Sequence, residues 1–274
     1  MKSMDLFDER RKRRESEHAP LAARMRPRSF EEFLGQTHVI GPGKVLREAI
    51  EADTTPSLIL WGPPGSGKTT LALLIASKTN SHFASISAVS SGVAELRQVV
   101  VDSKTRLGLN NQRTLLFIDE IHRFNKAQQD VILPHVENGT VTLVGATTEN
   151  PSFEVIAPLL SRSRIFTFEQ LTTEHVECII RQALSDSERG IGQLTAVLEN
   201  PAMKFLVNMA NGDARVALNT LEISAKATKP DHNGIRTVSL TTIEQALQHR
   251  STLYDKDGDQ HYNQVSAFIK SIRG

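Results

Sequence analysis

The residues best suited to chemistry form one glycine-rich run, Gly62-Pro63-Pro64-Gly65-Ser66-Gly67-Lys68-Thr69, lying between an apolar stretch and a helix-patterned one. Such a run binds phosphate. Its glycines let successive backbone N–H groups turn inward around phosphate oxygens, and the start of the following helix adds a favourable dipole. Lys68 can reach the β- and γ-phosphates of a nucleotide, and the Thr69 hydroxyl is placed to ligate Mg²⁺. With Thr70 behind it, the whole loop from Gly62 is expected to hold ATP. A second signal lies further along, where Leu115-Leu116-Phe117-Ile118 runs into Asp119-Glu120. A carboxylate at the end of a buried strand is costly unless a cation or donor meets it. Asp119 therefore reads as the Mg²⁺-side residue, and Glu120 as the base that polarises an attacking water.

Further polar groups follow. The run Val141 to Ala146 leads into Thr147-Thr148-Glu149-Asn150. Thr147 is expected beside the glycine-rich loop, orienting water at the γ-phosphate; the alternative is a turn or helix cap. Arg162 and Arg164 flank Ser163. A guanidinium there can point out of its own subunit towards a neighbour's γ-phosphate, an arrangement that accelerates hydrolysis by about 10³–10⁵. The alternative is a surface ion pair. In Gly212-Asp213-Ala214-Arg215, Asp213 suits a helix N-cap, and Arg215 would then face the nucleotide or remain a surface arginine. His122 is not expected to bind metal, because no Cys/His cluster accompanies it.

These groups need elements to hold them. Ser57 to Trp61, Phe83 to Ala88, Thr114 to Ile118, Val141 to Ala146 and Arg164 to Phe168 read as strands. Helix patterns fall at 70–78, 94–104 and 127–136. Apolar strands alternating with helices imply an α/β domain whose parallel sheet carries helices on both faces. Beyond Gln170 the segments 172–188, 195–211, 213–227 and 241–249 are all helix-patterned, predicting a small all-α lid domain. The expected organisation is a flexible basic arm over 1–20, a nucleotide-binding domain over 21–169 and a helical lid over 170–249. Residues 250–274 read as the start of a further helical region.

Composition restricts the partners. The 274 residues are 39% hydrophobic and 23% charged, with a net charge of +1, so no overall field commits the chain to nucleic acid or membrane. Any such contact must come from a local patch, and Arg10-Arg11-Lys12-Arg13-Arg14 is one. The single cysteine, Cys178, excludes an intramolecular disulfide framework and suggests a reducing compartment. No apolar run approaches the roughly 18 residues of a membrane span. The first residues lack an export-type apolar region, so a cytoplasmic protein is expected.

Taken in order, these motifs resemble those of AAA+ ATPases of the clamp-loader clade. Longer stretches narrow the resemblance. Leu21-Ala22-Ala23-Arg24-Met25-Arg26-Pro27 and Phe33-Leu34-Gly35-Gln36 are similar to the clade's adenine-packing segment. The stretch FIDEIHRFNKAQQ from Phe117, Pro134-His135-Val136-Glu137, GATTENPSF from Gly145, and the tail containing Tyr254 and His261-Tyr262-Asn263 resemble one family, the replication-associated recombination protein A family. The resemblance covers residues 20–274. It implies Thr147 as first sensor, Arg162 as trans-acting finger and Arg215 as second sensor, around ATP and Mg²⁺ held by Lys68, Thr69, Asp119 and Glu120.

The same resemblance implies DNA-stimulated ATP hydrolysis at stalled or damaged replication forks, duplex ends and single-strand junctions. Association with single-strand-binding protein is implied too, and Met4-Asp5-Leu6-Phe7 resembles peptides that dock on bacterial sliding clamps. Residues 10–14 and His122-Arg123-Phe124-Asn125-Lys126 are the local candidates for DNA contact. The family continues past the equivalent of Gly274 into a helical region used for tetramerisation, so a truncated chain with impaired tetramer formation is expected. Two other readings stay open: an ATP-binding module without oligomerisation and turnover, and a clamp-loader or branch-migration subunit.

Overall fold

The computed structural model of the chain describes residues 19–254, with side chains as far as 248. The basic run 10–14, the peptide Met4–Phe7 and the segment 255–274, with His261-Tyr262-Asn263, lie outside the described residues. The chain divides into two compact units. One is Pro27–Gln170; the other combines the described residues 19–26 with 171–254.

The first unit is built on a parallel five-stranded sheet. Its strands are β1 Leu58–Trp61, β2 His82–Ser87, β3 Thr114–Asp119, β4 Val141–Thr147 and β5 Arg164–Thr167, in spatial order β2-β3-β4-β1-β5. Strand period dictates which side chains meet which layer. Leu58 and Leu60, Leu115 and Phe117, and Val144 and Ala146 enter one apolar core with Leu71, Leu74 and Ile75 of the helix Lys68–Lys78. The intervening Ile59, Leu116, Ile118 and Leu143 enter the opposite core. That core takes Leu96 from the helix Val93–Asn110, Ile132 from Lys126–Glu137 and Leu159 from Ala157–Ser161. β3 and β4, covered on both faces, are buried nearly throughout, whereas the edge strands β2 and β5 are largely exposed or half-buried. Continuous apolar strands at the centre and mixed ones at the edges follow from that order.

The second unit is helical around its own core. Helices Thr173–Ser185, Asn200–Ala210, Ala214–Ala227 and Leu240–Tyr254 surround buried Val176, Leu206, Leu221 and Ile243. The pattern at 195–211 resolves differently from a single helix. Ala196–Leu198 is strand β6, paired in parallel with β7, Arg236–Val238, before the helix starts at Asn200. Pro201 sits in that helix's first turn, where its missing N–H costs nothing, so the helix cannot be extended back through it without strain. Leu21–Arg24 also belongs to this unit. The Leu21 N–H donates to Glu222 Oε2 at 2.8 Å, and Arg24 pairs with the same carboxylate at 3.3 Å. Arg24 further donates to the carbonyls of Arg189 and Gly190. Among the described residues no helix is long and apolar enough to cross a membrane.

Candidate nucleotide site

In a parallel sheet of this kind, ligands bind beyond the carboxyl ends of the strands. There β1 ends at Trp61 and the chain enters residues 62–69. Gly62 comes so close to β5 that a Cβ on it would lie 2.3 Å from the Phe168 carbonyl oxygen. Gly65 and Gly67 have φ of 70° and 105°, values that side chains other than glycine rarely adopt. Gly67 is the N-cap of the helix Lys68–Lys78, and no side chain caps it. The first-turn N–H groups are therefore left to the loop and to any anion it holds.

Lys68 is buried, 7% exposed, and its ammonium donates to the carbonyls of Gly62 at 2.7 Å and Pro63 at 2.8 Å. The Ser66 hydroxyl donates to Pro63 O at 2.8 Å, closing the loop on itself. A neighbouring segment braces it from outside. Gln36, buried with φ of 55°, donates to Ser66 O and, at 2.7 Å, to Glu169 O, while its own Oε1 accepts the Glu169 N–H at 2.9 Å. The Phe33 ring fills the space where a Gly67 Cβ would lie, 2.8 Å away at its nearest atom. Residues quoted only for their resemblance to an adenine-packing segment thus hold the shape of the phosphate loop itself.

The other expected groups of this unit arrive at the same sheet edge. Asp119 is the last residue of β3 and Thr147 the last of β4. Thr147 is paired in register with Trp61, and its carbonyl accepts the Gly62 N–H at 3.2 Å. Its fully buried hydroxyl contacts Glu149 N and O and the Nδ1 of His122 at 2.9 Å. Glu120 follows Asp119 in a left-handed conformation, φ 55°, and its carboxylate lies 3.3 Å from the same nitrogen. The sequence points to His122 only as part of a DNA-contacting segment. Its place became visible once the 3₁₀ turn Ile121–Arg123 folded the ring back over β4.

Arg162 is not with them. Arg164, two residues later, pairs with Leu58 at the start of β1, whereas the phosphate loop follows the end of that strand. One strand length, about 13 Å, separates the two edges of the sheet. At its own edge Arg162 binds Glu137 at 2.7 Å and donates to Pro158 O and Ser161 Oγ, with its side chain 42% exposed. Arg215 belongs to the helical unit. Asp213 caps its helix as expected, accepting from Arg215 N and Val216 N, and also holds the Arg215 guanidinium at 3.2 Å.

The donor set suits a nucleotide with Mg²⁺. No group of three or more His, Cys, Asp or Glu able to hold a metal is present among the described residues. Thr69, in the first turn of the helix Lys68–Lys78, and Asp119, the last residue of β3, are hard oxygen side chains of the kind Mg²⁺ accepts when phosphates and waters complete its shell.

Residues 25–157 match the family described as Holliday junction DNA helicase RuvB P-loop domain, and residues 192–273 match the AAA C-terminal domain. Replication-associated recombination protein A of Haemophilus influenzae is 47% identical over 260 residues, covering 95% of this chain and 58% of that protein. Its Escherichia coli counterpart is 47% identical over 256 residues, covering 93% and 57%. The ATPase WRNIP1 of Dictyostelium discoideum is 41% identical, covering 93% of this chain and 31% of its own. Among solved structures, the Thermotoga maritima RuvB Holliday junction branch migration motor aligns with a TM-score of 0.63 at 27% identity, covering 82% of this chain and 72% of that one. The chain spans a little over half the length of the bacterial relatives of that name.

Proposed function

The chain belongs to the replication-associated recombination protein A family of AAA+ ATPases, and from that membership we propose that it hydrolyses ATP in the service of replication-linked DNA recombination and repair. The observation that carries the reading is the convergence of Lys68, Asp119, Glu120 and Thr147 on one edge of the sheet, around a loop held open by glycine. In this reading residues 62–70 bind the phosphates, with Lys68 exchanging its two loop carbonyls for phosphate oxygens. Mg²⁺, held by Thr69 and Asp119, would neutralise charge developing on the β- and γ-phosphates. Glu120 takes the proton of the attacking water, and Thr147 positions that water against the γ-phosphate.

Arg162 completes the site from a neighbouring copy. Its place at the far edge of its own sheet supports this, because there it is a finger for a second subunit rather than for its own loop. Arg215, exposed at the start of its helix, is the second sensor by family resemblance. The DNA partners are forks, duplex ends and single-strand junctions. Within the segment from His122 to Lys126, DNA contact falls to Arg123 and Lys126, which are exposed, while Phe124 is core and His122 turns inward. Single-strand-binding protein and a sliding clamp are the further proposed partners, and the cytoplasm the proposed compartment.

The test is ATP turnover by the purified chain with Mg²⁺, with and without forked DNA. DNA should raise the rate, and Glu120→Gln should bind ATP without turning it over. A chain that binds ATP but does not hydrolyse it under either condition would instead favour the binding-module reading.

A further inference from the structure

Two groups of the proposed reaction meet on one nitrogen. His122 Nδ1 lies 2.9 Å from Thr147 Oγ1 and 3.3 Å from Glu120 Oε2, on a side chain that is 10% exposed. Its chain neighbours Ile121 and Phe124 are buried in the core, which fixes the backbone that carries the ring. Its proton can be assigned from the hydrogen bonds around Thr147. A threonine hydroxyl has one donor and two acceptor sites. The Thr147 O–H is directed at the Glu149 carbonyl, 3.2 Å away, and one lone pair accepts the Glu149 N–H at 3.0 Å. The remaining lone pair faces His122, so Nδ1 carries the proton. A carboxylate oxygen beside the same nitrogen demands the same tautomer, since two facing acceptors repel.

We infer that His122 is a positioning residue that couples Thr147 to Glu120, its one Nδ1–H being divided between the hydroxyl and the carboxylate. The inference rests on the ATP-hydrolysing reading above. A hydroxyl that donates to an anionic phosphate becomes a better acceptor than one that donates to a neutral carbonyl. When Thr147 turns its O–H from Glu149 to a γ-phosphate oxygen, it therefore draws the His122 N–H away from Glu120. The carboxylate is then released from the ring to turn towards the water, while the ring holds Thr147 in place against the γ-phosphate. Without ATP the same N–H holds Glu120 back.

Steady-state kinetics of His122 variants test this. His122→Ala should lower kcat by about 10–100-fold, as misplacement of a reacting group does, and leave the KM for ATP within about threefold. His122→Asn places an amide N–H close to where Nδ1 stood and should recover part of the loss. His122→Gln reaches instead towards the Nε2 position and should not. Combined with Thr147→Val, the alanine should cost less than the product of the two single losses. A kcat unchanged within about twofold, or equal recovery by Asn and Gln, would overturn the coupling. Ring ¹⁵N shifts of the chain, with the His122 resonance identified through His122→Asn, read the link without turnover. An Nδ1-protonated ring whose shift responds to Thr147→Val and to Glu120→Gln is expected; an Nε2-protonated ring overturns the inference. A wild-type chain that shows the expected ring but no ATP turnover would instead mark failure of the hydrolytic reading, with the link intact.

Discussion

Lys68 carries the charge on which the proposed phosphate site depends. A buried ammonium is costly unless paired, and here two carbonyls of the loop itself meet it. Replacing it by alanine removes the charge that phosphate would take over. Lys68→Ala should weaken ATP binding by about 10–100-fold, the equivalent of a charge-assisted hydrogen bond of about 1.5–3 kcal/mol, which calorimetric titration would show. The glycines are constrained by space as well as by torsion. Gly62→Ala would drive a Cβ against the Phe168 backbone, so the chain should lose about 1–3 kcal/mol of stability in denaturant unfolding. A mutant as stable as the parent would mean that the loop and β5 separate easily. The glycine-rich run and the acidic pair stand out in the sequence because each proposed chemistry fixes residue types at fixed spacing. The roles of His122 and Gln36 do not, since both depend on left-handed turns at Glu120 and Gln36 that no local residue type announces.

Elements carry the next part of the account. The central strands were legible as unbroken apolar runs because both faces are covered, and their alternate side chains divide between two cores. The strand β6 was hidden because three residues before a proline-started helix share its apolar pattern. Leu21–Arg24 was grouped by sequence with the sheet, yet its contacts are with Glu222 and the carbonyls of Arg189 and Gly190. Long-range partners of that sort leave no periodic trace. Glu222 makes this docking pH-dependent. Burial raises its pKa, but Lys226, the Leu21 N–H and Arg24 together outweigh burial and hold it below the usual carboxylate value. A depressed folded-state pKa means stability that is present above the unfolded value and lost as pH falls through the folded one. The thermal stability of the helical unit should therefore fall below the ordinary glutamate range, and Glu222→Ala should reduce that dependence while costing about 1.5–3 kcal/mol at neutral pH. A variant with an unchanged acid limb would show that the docking of Leu21–Arg24 contributes little.

At the scale of the whole molecule, the sheet itself separates the parts of the proposed reaction. Lys68, Glu120 and Thr147 stand at one edge and Arg162 at the other, so Arg162 as the proposed finger would act on a second copy of the chain. The Arg162–Glu137 pair is half exposed and worth little energy, about 0–1 kcal/mol, so it does not prevent that engagement. Arg162→Ala alone should lose most of its turnover while still binding ATP. Mixed with Glu120→Gln, it should regain some, since one intact glutamate can then meet one intact arginine. An Arg162→Ala chain with full activity would remove the finger from the account. Completion of the ATP site between copies is read from ATP turnover per chain across a range of protein concentrations, with and without forked DNA. A rate per chain that rises with concentration is expected, because assembly completes the site, and a further rise with DNA. A flat rate, equal with and without DNA and unchanged in Arg162→Ala, would contradict it.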